Sequence, residues 1–561
     1  MKANDYRFRA EITPQMVTQA REDNMLTLRK KKINDMLMAQ RLKKSNLTSS
    51  LEVNFDDIKH SLPDVLLNEF EMYDDKIGLI ISFLKEDYSA LNNYNFVPND
   101  VLMFALIKLK NNTLENDETN ELYAPKNKDI LYEIYKALIN LLKTKNDLKV
   151  LYQVTYILIN FTFSSTFIKN KLLSTAVWKR LYEISMMKNY ELTANVIWLF
   201  NHIMTEEEIV KSICSSINFD EIYLDFVSYY NNNITKNISL SELYHNMKII
   251  LNLYEFNLNY FVGKLNYLYP VLISMFQNIN SELVTLTTKT SYTNADSDRT
   301  KELLYLIELL GKIFYKILVG TKERKEYINY FFGEGFIFSF INVIKINYKL
   351  LQQTENELIK KVINILYKAI GNLLAFGTEE EDELLSKNGI ILLSEEILLN
   401  ISQVDIQKNV IFFISNYVID SDKNRKEIIL NSTVPSFIKK LFETQILNIE
   451  ILIEILYLIK NSFYTEDVEI KVNITEHFYP IIIQIVNQDF CKSNEEVLVL
   501  VISILINMIN FLRKKEKLSL LKGVMKTIET SGFKDKLEKL VLDSTSERLV
   551  SEIETLKSLL Y

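Results

Sequence analysis

Glycine and proline are scarce in this chain, at 11 and 7 residues in 561. An all-β fold would need many more turn residues, and a hydrophobic share of 48% is enough for a core, so helices are expected to dominate. Only two cysteines occur, Cys214 and Cys491, far apart in apolar surroundings, and nothing at the start resembles a secretory signal. The expected setting is a reduced intracellular compartment. The histidines His60, His202, His245 and His477 are scattered without metal-ligand spacing. No glycine-rich phosphate loop is present, since Gly333-Glu334-Gly335 is too short and fits a turn between helices. Carboxylates form no distinctive pair. An enzyme is therefore not expected, nor a metal or other cofactor. The most membrane-like run, Val497 to Leu512, is broken by Ser503, Asn507 and Asn510 and is shorter than the roughly 20 residues of a bilayer span. It reads as a buried repeat helix.

Charge of one sign is also unevenly supplied. The net charge is −7, yet residues 1–46 hold eleven Lys or Arg against five Asp or Glu, a net of +6, which leaves −13 for residues 47–561. A basic arm is attached to an acidic body.

What the chain does contain is a repeated pattern. Lys368-Ala369-Ile370-Gly371-Asn372 and Phe412-Phe413-Ile414-Ser415-Asn416 each place an asparagine four residues after a large side chain on a helical apolar spacing. The two side chains then share one helix face, and an exposed ladder is expected. The asparagines are 44 residues apart, and Asn461, after Tyr457, follows 45 residues later. Tyr156 with Asn160, Trp198 with His202, and Lys248 with Asn252 have the same shape, and Trp198 lies 42 residues after Tyr156. This matches the period of about 40 to 47 residues of armadillo and HEAT units. Pro270, Pro435 and Pro480 follow Asn252, Asn416 and Asn461 by 18 or 19 residues, each expected in the first turn of the next helix. An aromatic at helical spacing is most often core, but six copies near one period favour a surface array.

Gly371-Asn372 with Gly377-Thr378-Glu379, and Ile414-Ser415-Asn416, are similar to the repeat signatures of importin α, the armadillo-repeat adaptor of nuclear import. The resemblance implies an all-α, right-handed armadillo-repeat α-solenoid preceded by a basic helical arm. The expected domains are an arm at 1–46, a linker and entry helix at 47–70, repeats at 71–525 with a polar inserted loop at about 280–299, and a C-terminal capping repeat at 526–561.

The arm, with Arg7, Arg9, Arg21, Leu28, Arg29, Lys30, Lys31 and Lys32, resembles the family's importin-β-binding segment. Arginine there would meet carboxylates of an acidic partner bidentately. Taken alone, the arm equally fits a basic tail for nucleic acid or a membrane surface, but the repeat array that follows makes this the weaker choice, and neither a membrane nor direct nucleic-acid binding is expected. By resemblance, Arg41, Lys43 and Lys44 would fold back onto the cargo groove and compete with cargo.

The resemblance also implies where cargo binds. In the family, tryptophans form slots for cargo lysine stems, with cation–π attraction of about 0.5 to 2 kcal/mol each, and asparagine amides hold the extended peptide backbone. The major site would use Tyr156, Asn160, Trp198, His202, Glu206 and Asn252. Lys248 at a tryptophan position would repel a cargo lysine, so this site should be the weaker. Lys312 and Lys316 hold the ladder positions of repeat five, where no slot is expected. The minor site would use Asn372, Phe412, Asn416, Tyr457 and Asn461. An export receptor would dock at the C-terminal repeats, and the chain would shuttle between cytoplasm and nucleus. The expectation is a nuclear import adaptor carrying basic localisation peptides. The alternative is an armadillo scaffold with one dedicated partner that has lost general cargo binding.

Overall fold

The computed structural model describes residues 51–72, 75–114, 122, 127–174, 177–204, 207–218, 222, 247, 250–251, 268–289, 293–319, 331, 334–374, 379–444, 448–486, 494–543 and 546–560. The basic arm, including Arg7 through Lys44, lies outside the described residues, as do Glu206, Lys248 and Asn252. Every regular element among the described residues is helical.

The chain divides into two compact units. One holds the described residues up to Ile279 together with Lys301–Ile313, and the other holds Asn280–Thr300 together with Phe314–Tyr561. In the first unit, helices α1 (Pro98–Leu114), α2 (Leu148–Ser164) and α3 (Tyr190–Ile203) pack side by side in chain order. Two shorter helices, Thr166–Ser174 and Trp178–Ser185, separate α2 from α3. In the second unit, α4 (Glu357–Leu374), α5 (Val404–Tyr417), α6 (Ile449–Phe463) and α7 (Glu495–Lys514) pack in the same serial way. Glu379–Lys387 and Ile390–Asn400 lie between α4 and α5, while Asp422–Leu430 and Val434–Glu443 lie between α5 and α6. Two short helices followed by a long third one form the armadillo unit, and the fold is an all-α armadillo array.

The sequence starts these long helices with short polar side chains that take up orphan backbone N–H groups. Asp147 accepts from Lys149 and Val150 at the head of α2, Asn189 from Leu192 at α3, and Asn494 from Val497 at α7. α7 is the one helix among the described residues long and apolar enough to cross a membrane. It is buried instead, between α6, the Val468–Val486 helix and Glu547–Leu560. That last helix buries Leu549, Ile553, Leu556 and Leu560, and so covers the face α7 would otherwise expose.

Three expectations need correction. The polar insert at about 280–299 is not a loop: helices Leu268–Thr287 and Asn294–Val319 cover most of it. Its hydroxyls bond back into the helix, Thr285 to the Ser281 carbonyl at 2.9 Å and Thr287 to that of Leu283 at 2.8 Å, while Leu283 and Leu286 are buried. Arg299 pairs with Glu282 at 2.7 Å, joining the two helices. Pro480, expected in a first turn, lies inside the Val468–Val486 helix. It is exposed, so the carbonyl it leaves without a helical partner faces water. Pro435 and Pro270 do sit in first turns. Finally, the linker ahead of the entry helix, expected to reach about Ser61, ends early: Leu51 and Val53 are already buried, and Phe55–Ile58 is helical.

Candidate functional site

The faces of the long helices are where the sequence places a peptide-binding ladder. In the second unit, that ladder turns inward. Asn416 is 4% exposed, and its side-chain Nδ2 donates to the Gly371 carbonyl of α4 at 2.8 Å. Asn461, 3% exposed, donates from α6 to the Ser415 carbonyl at 3.2 Å and to Ser415 Oγ at 3.0 Å. Asn409 adds a third staple, to Asn364 Oδ1 at 2.6 Å. These amides join each long helix to the one before it. Asn372 differs, for it is half-buried and bonds back to its own helix at the Lys368 carbonyl, 2.7 Å away. The expected exposed asparagine ladder is therefore a buried seam. Four-residue spacing places two side chains on one face but does not say whether that face meets solvent or a neighbouring helix.

What remains accessible on α4 to α6 is a mixed set of rings and charges. The Lys368 ammonium lies 4.4 Å from the Tyr315 ring centroid, so this cation is seated on an aromatic of its own chain. Phe412 is half-buried against Gly371, where a Cβ would come within 2.7 Å of its ring. Lys408 reaches across to Glu450 of α6 at 2.5 Å, and the Tyr457 hydroxyl donates to Glu496 of α7 at 3.0 Å. Acids and bases alternate here rather than forming one field.

The first unit closes its expected slots in another way. Trp198, 5% exposed, donates from its indole nitrogen to His202 Nε2 at 3.0 Å. The ring proton of His202 therefore sits on Nδ1, which donates to Thr162 Oγ1 of α2 at 3.0 Å. Both imidazole nitrogens are engaged within the chain. Asn160 is 2% exposed and donates to Thr113 Oγ1 of α1 at 3.0 Å. Tyr156 is buried beneath the Lys110 ammonium, 5.1 Å from its ring centroid. Lys312, at a ladder position of repeat five, pairs with Glu308 at 2.8 Å.

Sequence reasoning missed Lys110 and Glu191, which hold the stretch just before the first helix. Lys110 pairs with Glu52, and the Leu51 backbone N–H donates to Glu191 Oε2 at 3.3 Å. Their partners lie 58 and 140 residues away, and no local pattern marks such a pairing.

No family model and no curated protein matches this chain. Solved structures do. A structure titled for a phosphorylation switch controlling the interaction between cadherin and β-catenin aligns over 100% of both chains, with TM-score 0.58 and 12% identity. An engineered protein aligns over 86% of this chain and 98% of its own, with TM-score 0.55 and 15% identity. A designed armadillo repeat protein aligns over 51% of this chain and all of its own, with TM-score 0.36 and 16% identity. The likeness is one of fold.

Proposed function

We propose that this protein is a non-catalytic armadillo scaffold that binds an extended segment of a partner protein along its long third helices, and that it is not a general carrier of basic localisation peptides. One observation carries this reading. The asparagines that would hold a basic peptide, Asn160, Asn416 and Asn461, use their amide nitrogens to join successive helices. These side chains are only 2–4% exposed, so the second N–H and the carbonyl that each amide retains are enclosed between the helices, out of reach of a peptide laid along the surface. The engaged Trp198 and His202 support the same conclusion for the first unit.

A second reading, the nuclear import adaptor, rests on the Leu28-Arg29-Lys30 arm and on half-exposed Phe412 and Tyr457. On that reading the arm binds importin β, an export receptor docks at the C-terminal repeats, and the protein shuttles between cytoplasm and nucleus. Fluorescence titration of the full chain with a bipartite basic peptide separates the two, run beside a variant with Arg41, Lys43 and Lys44 changed to Ala. The scaffold reading expects weak binding in both, unaffected by Phe412→Ala. Tight, salt-sensitive binding that appears in the arm variant and is lost with Phe412→Ala or Tyr457→Ala overturns it, as does tight binding of importin β to the arm.

A further inference from the structure

Residues 51–54 are not helical, and they cross the long helices of the first unit. The Leu51 N–H is held by Glu191 in the first turn of α3. Glu52 pairs with Lys110 of α1, whose ammonium also covers Tyr156 of α2. The Phe55 ring then lies 6.1 Å from that of Phe104 on α1. The contacts therefore run from α3 towards α1, opposite to the order of the repeats. Leu51 and Val53 are both buried, at 7% and 6% exposure, with Glu52 between them half-buried and ion-paired. Two seated aliphatic residues flanking an ion-paired acid on a helical face are the contacts that a short bound peptide would make.

We propose that this face is an extended-peptide site, that its partner is a segment of another protein carrying one acidic residue between two aliphatic ones, and that Leu51-Glu52-Val53 occupies it in competition with that partner. The proposal rests on the scaffold reading and names the chemistry of its ligand. Three observations select that chemistry. Lys110 is only 8% exposed, so a carboxylate meets it largely shielded from water, where the pairing is stronger than at an open surface. Tyr156 beneath the ammonium fixes the cation in place, and a cargo lysine arriving there would meet like charge. Glu191 presents an acceptor to a backbone N–H, which any extended peptide supplies. The segment can also leave without disturbing the entry helices, because Ile58, Leu62, Val65, Leu66 and Phe70 anchor them through their own buried contacts.

An occupant tethered to its own site competes at a high effective concentration, so a free peptide binds the intact chain more weakly than the bare site. The test uses the full chain and a fluorescent octapeptide with the sequence of residues 49–56, Ser-Ser-Leu-Glu-Val-Asn-Phe-Asp. Fluorescence anisotropy should show at least tenfold tighter binding to Glu52→Lys than to the unaltered chain. Lys110→Glu, introduced into the Glu52→Lys background, should abolish binding of this probe, while Lys110→Glu alone, which repels the tethered Glu52, should bind a probe with lysine in place of the glutamate. Such charge-swap rescue also shows that Lys110→Glu leaves the chain folded. Binding to Glu52→Lys that is indifferent to Lys110→Glu overturns the acid-accepting site but leaves a peptide-binding scaffold. Equal weak binding to every variant overturns the displaceable segment. If in addition a basic bipartite peptide binds tightly, the scaffold reading fails with it.

Discussion

Asn416 and Gly371 are joined by a side-chain to backbone hydrogen bond of 2.8 Å that runs from one repeat to the preceding one. The donor is buried and the acceptor belongs to a helical residue, so the bond is part of the packing between repeats. Removing it should lower stability without touching any surface group. For Asn416→Ala, the denaturant midpoint should fall by the equivalent of about 1 to 2 kcal/mol. Asn372→Ala, whose amide bonds only to its own helix, should change stability by less than about 0.5 kcal/mol. Equal effects would place Asn416 in the same solvent-facing class as Asn372.

The same glycine admits the Phe412 ring. A Cβ at position 371 would lie 2.7 Å from two of its ring carbons. Gly371→Ala gains about 1 kcal/mol of helix propensity and loses a similar amount by pushing the half-buried ring outward. The single variant should therefore change stability by less than about 1 kcal/mol. Against a Phe412→Ala background the same change should stabilise by about 1 kcal/mol, and a double-mutant cycle in urea reads the difference. No coupling would mean that the ring does not occupy that space.

Alkali should destabilise the second unit through Tyr367. This phenol is fully buried and bonded to Ser394 Oγ at 3.0 Å, and burial holds its pKa well above the usual tyrosine value. Above about pH 10 the unfolded chain loses this proton while the folded one keeps it. The contribution is fully present below that pH and falls as pH rises, by up to about 1.4 kcal/mol per pH unit. Urea midpoints between pH 8 and 11 should show this slope, reduced in Tyr367→Phe. An unchanged slope in the variant assigns the effect elsewhere.

Acid acts on the turn between Leu268–Thr287 and Asn294–Val319. The Asp296 carboxylate accepts from Lys289 at 2.6 Å, from Thr293 Oγ1 at 2.6 Å and from the Thr293 N–H at 3.0 Å. The lysine first, then the threonine, hold its pKa down to about 2. Its stabilising contribution is complete above about pH 4, the unfolded value, and is lost as pH falls through about 2. Hydrogen exchange of the Thr293 to Ser297 amides should accelerate across that window, and Asp296→Asn should show fast exchange already at neutral pH. Exchange that ignores both pH and the substitution would mean the turn is held by other groups.

The helical class, the repeat period and the capping residues were legible because each depends on neighbours in sequence. Scarce glycine and proline, apolar spacing near 3.6 and the 42 to 45 residues that separate the ladder positions of α2 from α3 and of α4, α5 and α6 from one another act over a turn or a repeat. The polar stretch at 280–299 misled, since serine and threonine disfavour helix only weakly and burial of Leu283 and Leu286 outweighs them, their hydroxyls bonding carbonyls of the helix itself. Which way each ladder residue points was settled only by tertiary packing. Asn416 and Asn372 have the same local pattern, yet one reaches the helix before it and the other turns back on its own. The contacts of Glu52 and Leu51 with α1 and α3 depend on residues 58 and 140 positions away. Period and helix are local properties that the sequence carries by itself; the choice between seam and surface belongs to the neighbouring helix.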